Sequence, residues 1–129
     1  MKTIRFLSMD EVLQIQVDQI QRYGGSLGVR DRDLLSSAIA MAEAGFGGEY
    51  LHSNLFEMAA AYLFHIVQNH PFVDGNKRVG TMAAFTFLKL NGHTLRVDDA
   101  DFESLVLSVA EGKAGKAAIA EFFRNNIPT

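Results

Sequence analysis

His70, Asp74, Lys77 and Arg78 fall within nine residues of one another, in the stretch NHPFVDGNKRVG that runs from 69 to 80, where the apolar periodicity of a helix resumes. Cations in the first turn of a helix face the partial positive charge of its N-terminus and are disfavoured there by roughly 0.3–1 kcal/mol each unless something negative lies nearby. Lys77 and Arg78 therefore ask for an anion. Because His70 precedes Pro71, its backbone is expected to be extended, with the imidazole projecting beyond the last turn of the preceding helix. Phe72 has the apolar body to anchor the loop. Gly75 has no Cβ and lets the backbone approach a ligand, while the unbonded amides that open a helix form a ready phosphate site. Asn76 adds an amide donor, and Lys77 and Arg78 add mobile and forked positive charge. Asp74 would be repelled by bare phosphate but makes sense if magnesium bridges its carboxylate to phosphate oxygens. Histidine has the ordinary pKa nearest neutrality, so His70 can take the proton of a hydroxyl that attacks phosphorus. Together these are the parts of a phosphotransferase acting on a polyphosphate with its metal.

The elements that must hold this loop are legible from caps and periodicity. Ser8 and Glu11 have capping-box spacing ahead of MDEVLQIQVDQIQRY, where Val12, Ile15 and Gln19 share a stripe until Gly24 and Gly25 stop it. Asp31 can cap RDLLSSAIAMAEA, with Leu34, Leu35, Ala38, Ile39 and Ala42 at helical spacing and Gly45 as its exit. Asn54 with Glu57 offers another box for LFEMAAAYLFHIVQN, apolar on nearly every side and ending near Asn69 before the proline. A fourth helix starts around Asn76 and runs to Gly92, so the third and fourth form the core pair with the loop between them. Asp98 caps ADFESLVLSVAE, and KAAIAEFFRNN ends before Pro128. Only TIRFL and HTLRV alternate as strands would, and both are short. The expected fold is all-α, one bundle of about six helices with at most very short strands.

Composition limits the function further. A chain of 129 residues, 48% hydrophobic, is the size of one domain that buries about two-thirds of its unfolded surface. A net charge of -3 gives no broad basic footprint, which argues against direct nucleic-acid binding by phosphate neutralisation. Without cysteine there is neither a disulfide framework nor thiolate chemistry. MKTIRFLS is interrupted by Arg5 too early for a signal-peptide core, and the apolar stretches 55–67 and 79–90 each fall short of a membrane span. A soluble cytoplasmic protein is expected, with no membrane partner.

The segment HPFVDGNKR resembles the signature of the Fic/Doc (death-on-curing) family, an all-helical fold whose members transfer part of a nucleotide to hydroxyl side chains of other proteins. Nearly the whole chain fits, as a single domain over 1–129: RYGGSLGVRDRDLLSSAIA resembles the family's first inter-helix turn and second helix, and NGHTLRV its turn after the motif helix. The resemblance implies His70 as general base, Asp74 as magnesium ligand, Asn76 and the loop amides as phosphate cradle and Arg78 as a second clamp, with ATP as co-substrate. Adenylyl-transferring members carry glycine where this chain has Lys77 and a second arginine where it has Thr81. Both departures resemble the death-on-curing branch, which implies a kinase that passes the terminal phosphoryl group of ATP to elongation factor Tu, restrained by a cognate antitoxin protein. Gly75 suits the adenylyl-transferring pattern equally, so an adenylyltransferase is the runner-up.

Other readings stand beside these. A loop that only holds phosphate, without chemistry, would not need His70; an RNA-cleaving site using His70, Lys77 and Arg78 is opposed by the acidic balance and the lack of a base-stacking platform. Asp74 could simply pair with Lys77 or Arg78. His65 lacks the four-residue spacing of a helical zinc pair and reads as packed core, and EGKAGKAA lacks the glycine spacing of a P-loop. GFGGEYLHS, residues 45–53, lies where family members carry a flap that docks the target, or is a plain glycine-rich connection. The inhibitory Ser/Thr-x-x-x-Glu-Gly/Asn motif of the family is incomplete at both candidates, since Met58 follows Glu57 and Leu107 stands four residues before Glu111.

Overall fold

The computed structural model describes residues 3–128. Six helices follow in chain order: α1 (Met9–Tyr23), α2 (Arg32–Glu43), α3 (Leu55–Asn69), α4 (Asn76–Leu90), α5 (Asp99–Ala110) and α6 (Lys116–Asn125). Their starts follow local chemistry. Ser8 and Glu11 form both bonds of the capping box on α1, and Asp31, Asn54 and Asp98 accept first-turn amides of α2, α3 and α5. Each such cap is worth about 1 kcal/mol against alanine.

α3 is the centre of the bundle and packs on α4, α2, α6 and α5, while α1 lies on α4. Its all-round apolar sequence is the consequence: Met58 to Leu63, Ile66 and Val67 are all buried. Gly80 lets α4 approach closely, because a Cβ there would lie 3.0 Å from Val67 Cγ2 and 3.2 Å from the Leu63 carbonyl. Tyr62, fully buried, keeps its hydroxyl satisfied by accepting the Leu7 amide at 2.9 Å, and burial pushes its pKa up to about 12.

The strand expectations need correction. TIRFL and HTLRV form no ladder; Arg5 N–H donates to the Asn91 side chain, Leu7 N–H to Tyr62 and Arg96 N–H to the Asn126 carbonyl, so helix-borne groups take the bonds a strand would have used. The described strands are instead β1 (Gly45–Phe46) and β2 (Glu49–Tyr50), an antiparallel pair joined by Gly47 and Gly48. Both turn glycines have positive φ, 62° and 85°, as a tight two-residue hairpin turn requires. This hairpin leads into the N-terminal end of α3, whereas the HPFVDGNKR loop leaves its C-terminal end, so about 22 Å of helix separates them. Residues 45–53 thus connect α2 to the N-terminal end of α3, with Tyr50 against Phe6.

Candidate active site

His70 is the C-cap of α3 and its backbone is left-handed, φ 50° and ψ 52°, not extended as the following proline suggested. It is the one non-glycine residue with positive φ among the described residues. Such a conformation costs on the order of 1–3 kcal/mol and persists only where surrounding bonds impose it. Here the His70 N–H still reaches the Ile66 carbonyl at 3.2 Å, while Arg30 donates from Nε to the His70 carbonyl at 2.7 Å and from Nη2 to the Asn69 carbonyl at 3.0 Å. The result leaves the histidine exposed at the end of the helix, with Pro71 and Phe72 buried behind it.

The rest of the loop is held from inside. Phe72 is fully buried, as its anchoring part demands. Asn76 is buried too, and its amide is spent on the loop itself: Oδ1 accepts Phe72 N–H at 2.9 Å and Nδ2 donates to the Phe72 carbonyl at 3.0 Å. The side chain expected to donate to phosphate therefore shapes the cradle, and what Asn76 can offer an anion is its backbone N–H. Gly75 opens α4 at φ 80° with no side-chain cap, and the first turn contains no acid. The amides there, beside exposed Lys77 and half-buried Arg78, have no intrahelical acceptor.

A second segment, 24–31, flanks the loop, a contact that the turn's own sequence did not reveal. Val73 N–H donates to the Gly28 carbonyl at 3.0 Å, Arg30 N–H to that of Pro71 at 2.7 Å, and Val29 forms an antiparallel bridge with Phe72. Gln16 on α1 ties both pieces together: its Nε2 donates to the carbonyls of Gly28 and Asp74, and its Oε1 accepts Gly28 N–H. The signal was a glutamine, fully buried, one turn along the stripe from Val12. Gly25 must be glycine because a Cβ there would collide with the Asp74 carboxylate.

That carboxylate accepts Ser26 N–H at 3.1 Å and Gly75 N–H at 2.9 Å. These two bonds, with the weaker pull of Arg78 and His70, hold the Asp74 carboxyl below its ordinary range and keep it ionised. No carboxylate lies within salt-bridge distance of Lys77 or Arg78 among the described residues, so Asp74 is not their surface partner. Asp74 also lines a pocket of about 270 Å³ together with Val67, His70, Gly75, Lys77 and Arg78. No group of three acids or histidines able to cage a metal occurs among the described residues. One carboxylate beside a phosphate-binding helix end is instead the donor set with which magnesium is held together with a substrate phosphate and waters, so the residues present fit that ion. Arg78 stacks over Tyr23 at 5.4 Å, and from there a groove of about 640 Å³ continues between α1, α4 and α5.

The other candidates separate from this site. His65 Nε2 accepts from Lys116 at 3.1 Å, its ring packs edge-on to Phe64, and burial, with Lys116 and His52 nearby, pushes its pKa down to about 4. It is a packed neutral histidine. EGKAGKAA spans the α5–α6 turn with no strand before it. Glu57 caps the far end of α3, bonded to Ser53 and Asn54, and Glu111 lies 3.9 Å from Lys113.

The bundle thus brings an uncapped, cationic helix end, an ionised aspartate and a histidine with left-handed backbone together around one pocket. The Fic/DOC family model matches residues 6–88, and the chain belongs to that family. It is 30% identical over 121 residues to "Protein kinase doc" of Escherichia phage P1, covering 94% of each chain, and 45% identical over 76 residues to "Toxin Doc" of Mycolicibacterium smegmatis, covering 59% of this chain and 58% of that one. No helix among the described residues is long and apolar enough to cross a membrane.

Proposed function

We propose that this protein is a toxin-type phosphotransferase that moves the terminal phosphoryl group of ATP to a hydroxyl side chain of a translation factor, elongation factor Tu, and that a cognate antitoxin restrains it. The observation that carries the reading is the pocket itself, where an exposed histidine faces free helix amides, Lys77, Arg78 and an ionised aspartate. In the reaction His70 takes the proton of the attacking hydroxyl, a bond forms between that oxygen and the terminal phosphorus, and the bond to the bridging oxygen breaks as ADP leaves. The amides of α4, with Lys77 and Arg78, hold the phosphate oxygens, and Asp74 would hold a magnesium ion, which would neutralise phosphate charge.

Kinase is favoured over adenylyl transfer by Lys77 and Thr81, and by likeness over 94% of each chain to a relative named a protein kinase. Gly75 no longer speaks for the other branch, because the left-handed N-cap explains it. Adenylyl transfer would use the same loop with the α-phosphate over His70. ATP labelled separately at the α and γ positions, incubated with the protein in a translation extract, separates the two: γ-label alone should enter a band that antibody identifies as elongation factor Tu. Entry of α-label would replace kinase by adenylyltransferase. Glu57 lies at the wrong end of α3 to act as an internal brake, which supports restraint by a separate protein. Expression of the chain alone should then arrest growth, and co-expression of an adjacent small gene product should relieve it.

A further inference from the structure

We propose that Arg30 is the positioning residue of the histidine: it does not touch substrate, but it holds His70 in the one backbone conformation that aims the imidazole at the pocket. This rests on the reading of His70 as the base.

The geometry is specific. The carbonyls of Asn69 and His70 flank the His70 Cα, so their directions are set by its φ and ψ. In extended backbone successive carbonyls point to opposite sides, whereas in helical conformations of either hand they point the same way. One rigid, planar fork can take both only in the second case. Arg30 does so, with Nε on the His70 carbonyl at 2.7 Å and Nη2 on that of Asn69 at 3.0 Å. Its own N–H, with that of Asp31, takes the Pro71 carbonyl at 2.7 and 3.0 Å, so one residue contributes to gripping three consecutive peptide oxygens. The far side of the grip is anchored as well, since Asn69 Nδ2 donates to the Leu34 carbonyl on α2.

Arg30 is exposed, and no carboxylate lies within 4.0 Å of it among the described residues. Its charge is spent on the C-terminal carbonyls of α3, where a cation complements the helix dipole. Without the fork, the residue before Pro71 returns to the extended conformation that proline prefers. The imidazole then leaves the pocket while the amides of α4, Asp74 and Arg78 stay where they are.

The test is a double-mutant cycle on the full chain, reading transfer from γ-labelled ATP to protein in a translation extract. Arg30→Ala should lower the turnover rate by about 10²-fold, the usual cost of misplacing a reacting group by about an ångström, with KM for ATP changed less than about twofold. Arg30→Lys, which keeps charge and stem but reaches one carbonyl, should fall between. Added guanidinium ion should restore part of the Arg30→Ala rate, and equal ammonium should not. In a His70→Ala background the Arg30 substitution should cost nothing more, because both changes remove one function. The proposal is overturned if Arg30→Ala turns over at the wild-type rate, if Arg30→Lys does so, if its loss multiplies with that of His70→Ala, or if the loss follows a drop in melting temperature and guanidinium has no effect. Full transfer by His70→Ala is a different result: it removes the base itself, and the site reading falls before Arg30 is tested.

Discussion

α3 and α4 are both 15 residues long and lie side by side, yet their N-terminal ends are built to opposite rules. At α3, Asn54 accepts Glu57 N–H at 2.9 Å, and Glu57 takes bonds from Asn54 Nδ2 and Ser53 Oγ, which lower its pKa and keep negative charge over the dipole. At α4 there is no cap and no acid, only Gly75 followed by Lys77 and Arg78. The first end is complete within the chain and has nothing left to bind. The second leaves amides and cations free together, an arrangement that costs stability unless an anion joins it. The site is the end of the pair that folding left unfinished.

The contrast can be broken most severely at His70, the proposed base. His70→Ala should lower transfer by on the order of 10²–10⁴-fold, the worth of a positioned acid–base group, while isothermal titration finds ATP affinity little changed, since the α4 amides remain. The fold should survive, because the exposed ring leaves no apolar cavity. Loss of folding would make the histidine structural.

Asp74→Asn should weaken magnesium-dependent nucleotide binding by at least the roughly tenfold seen when a metal's outer partners are removed, with helix content by circular dichroism unchanged. Full activity at limiting magnesium would leave Asp74 only its ties to Ser26 N–H and Gly75 N–H.

Making the two ends alike sharpens the comparison. Lys77→Glu places an acid in the first turn of α4, as Glu57 is in α3, and should raise stability by roughly 0.3–1 kcal/mol while nucleotide binding falls several-fold. The mirror change, Asn54→Ala, should cost about 1 kcal/mol by denaturant titration and leave transfer untouched. If Lys77→Glu lost stability, the open helix end would not be the source of the trade-off.

The effect least tied to either helix end concerns the α3–α6 contact. His65 titrates near 6.5 when unfolded and about 4 when folded, because burial and Lys116 disfavour its charge. Between those values the unfolded chain binds the proton and the folded one does not, so stability should be complete above pH 6.5 and decline as pH falls toward 4. His52, lowered by burial in the same direction, adds to the slope. Melting temperatures from pH 7 to 4 should show the decline, and His65→Gln should flatten it in part. An unchanged slope in that variant would remove His65 as its source.

What could be read from the chain alone was whatever depends on residues three or four apart. The four side-chain caps, the apolar faces, the proline stop and the nine-residue motif all fall into this class, and the helices begin and end within a residue or so of where those signals put them. The hairpin of 45–50 escaped because two-residue strands leave almost no alternation to read, and TIRFL and HTLRV misled because their partners proved to be a tyrosine hydroxyl, an asparagine side chain and a helix end. Within the site, residue types and order were legible, but conformations were not. The left-handed backbone of His70 goes against the local preference before proline, and bonds from Arg30, 40 residues earlier, oppose that preference. Asn76 has the same donors whether they face phosphate or Phe72, and Gln16 reaches 58 residues to the Asp74 carbonyl. Local chemistry decides where a helix starts, because its partners are already neighbours in the chain; only packing decides which distant groups meet, and here that meeting sets where the histidine points.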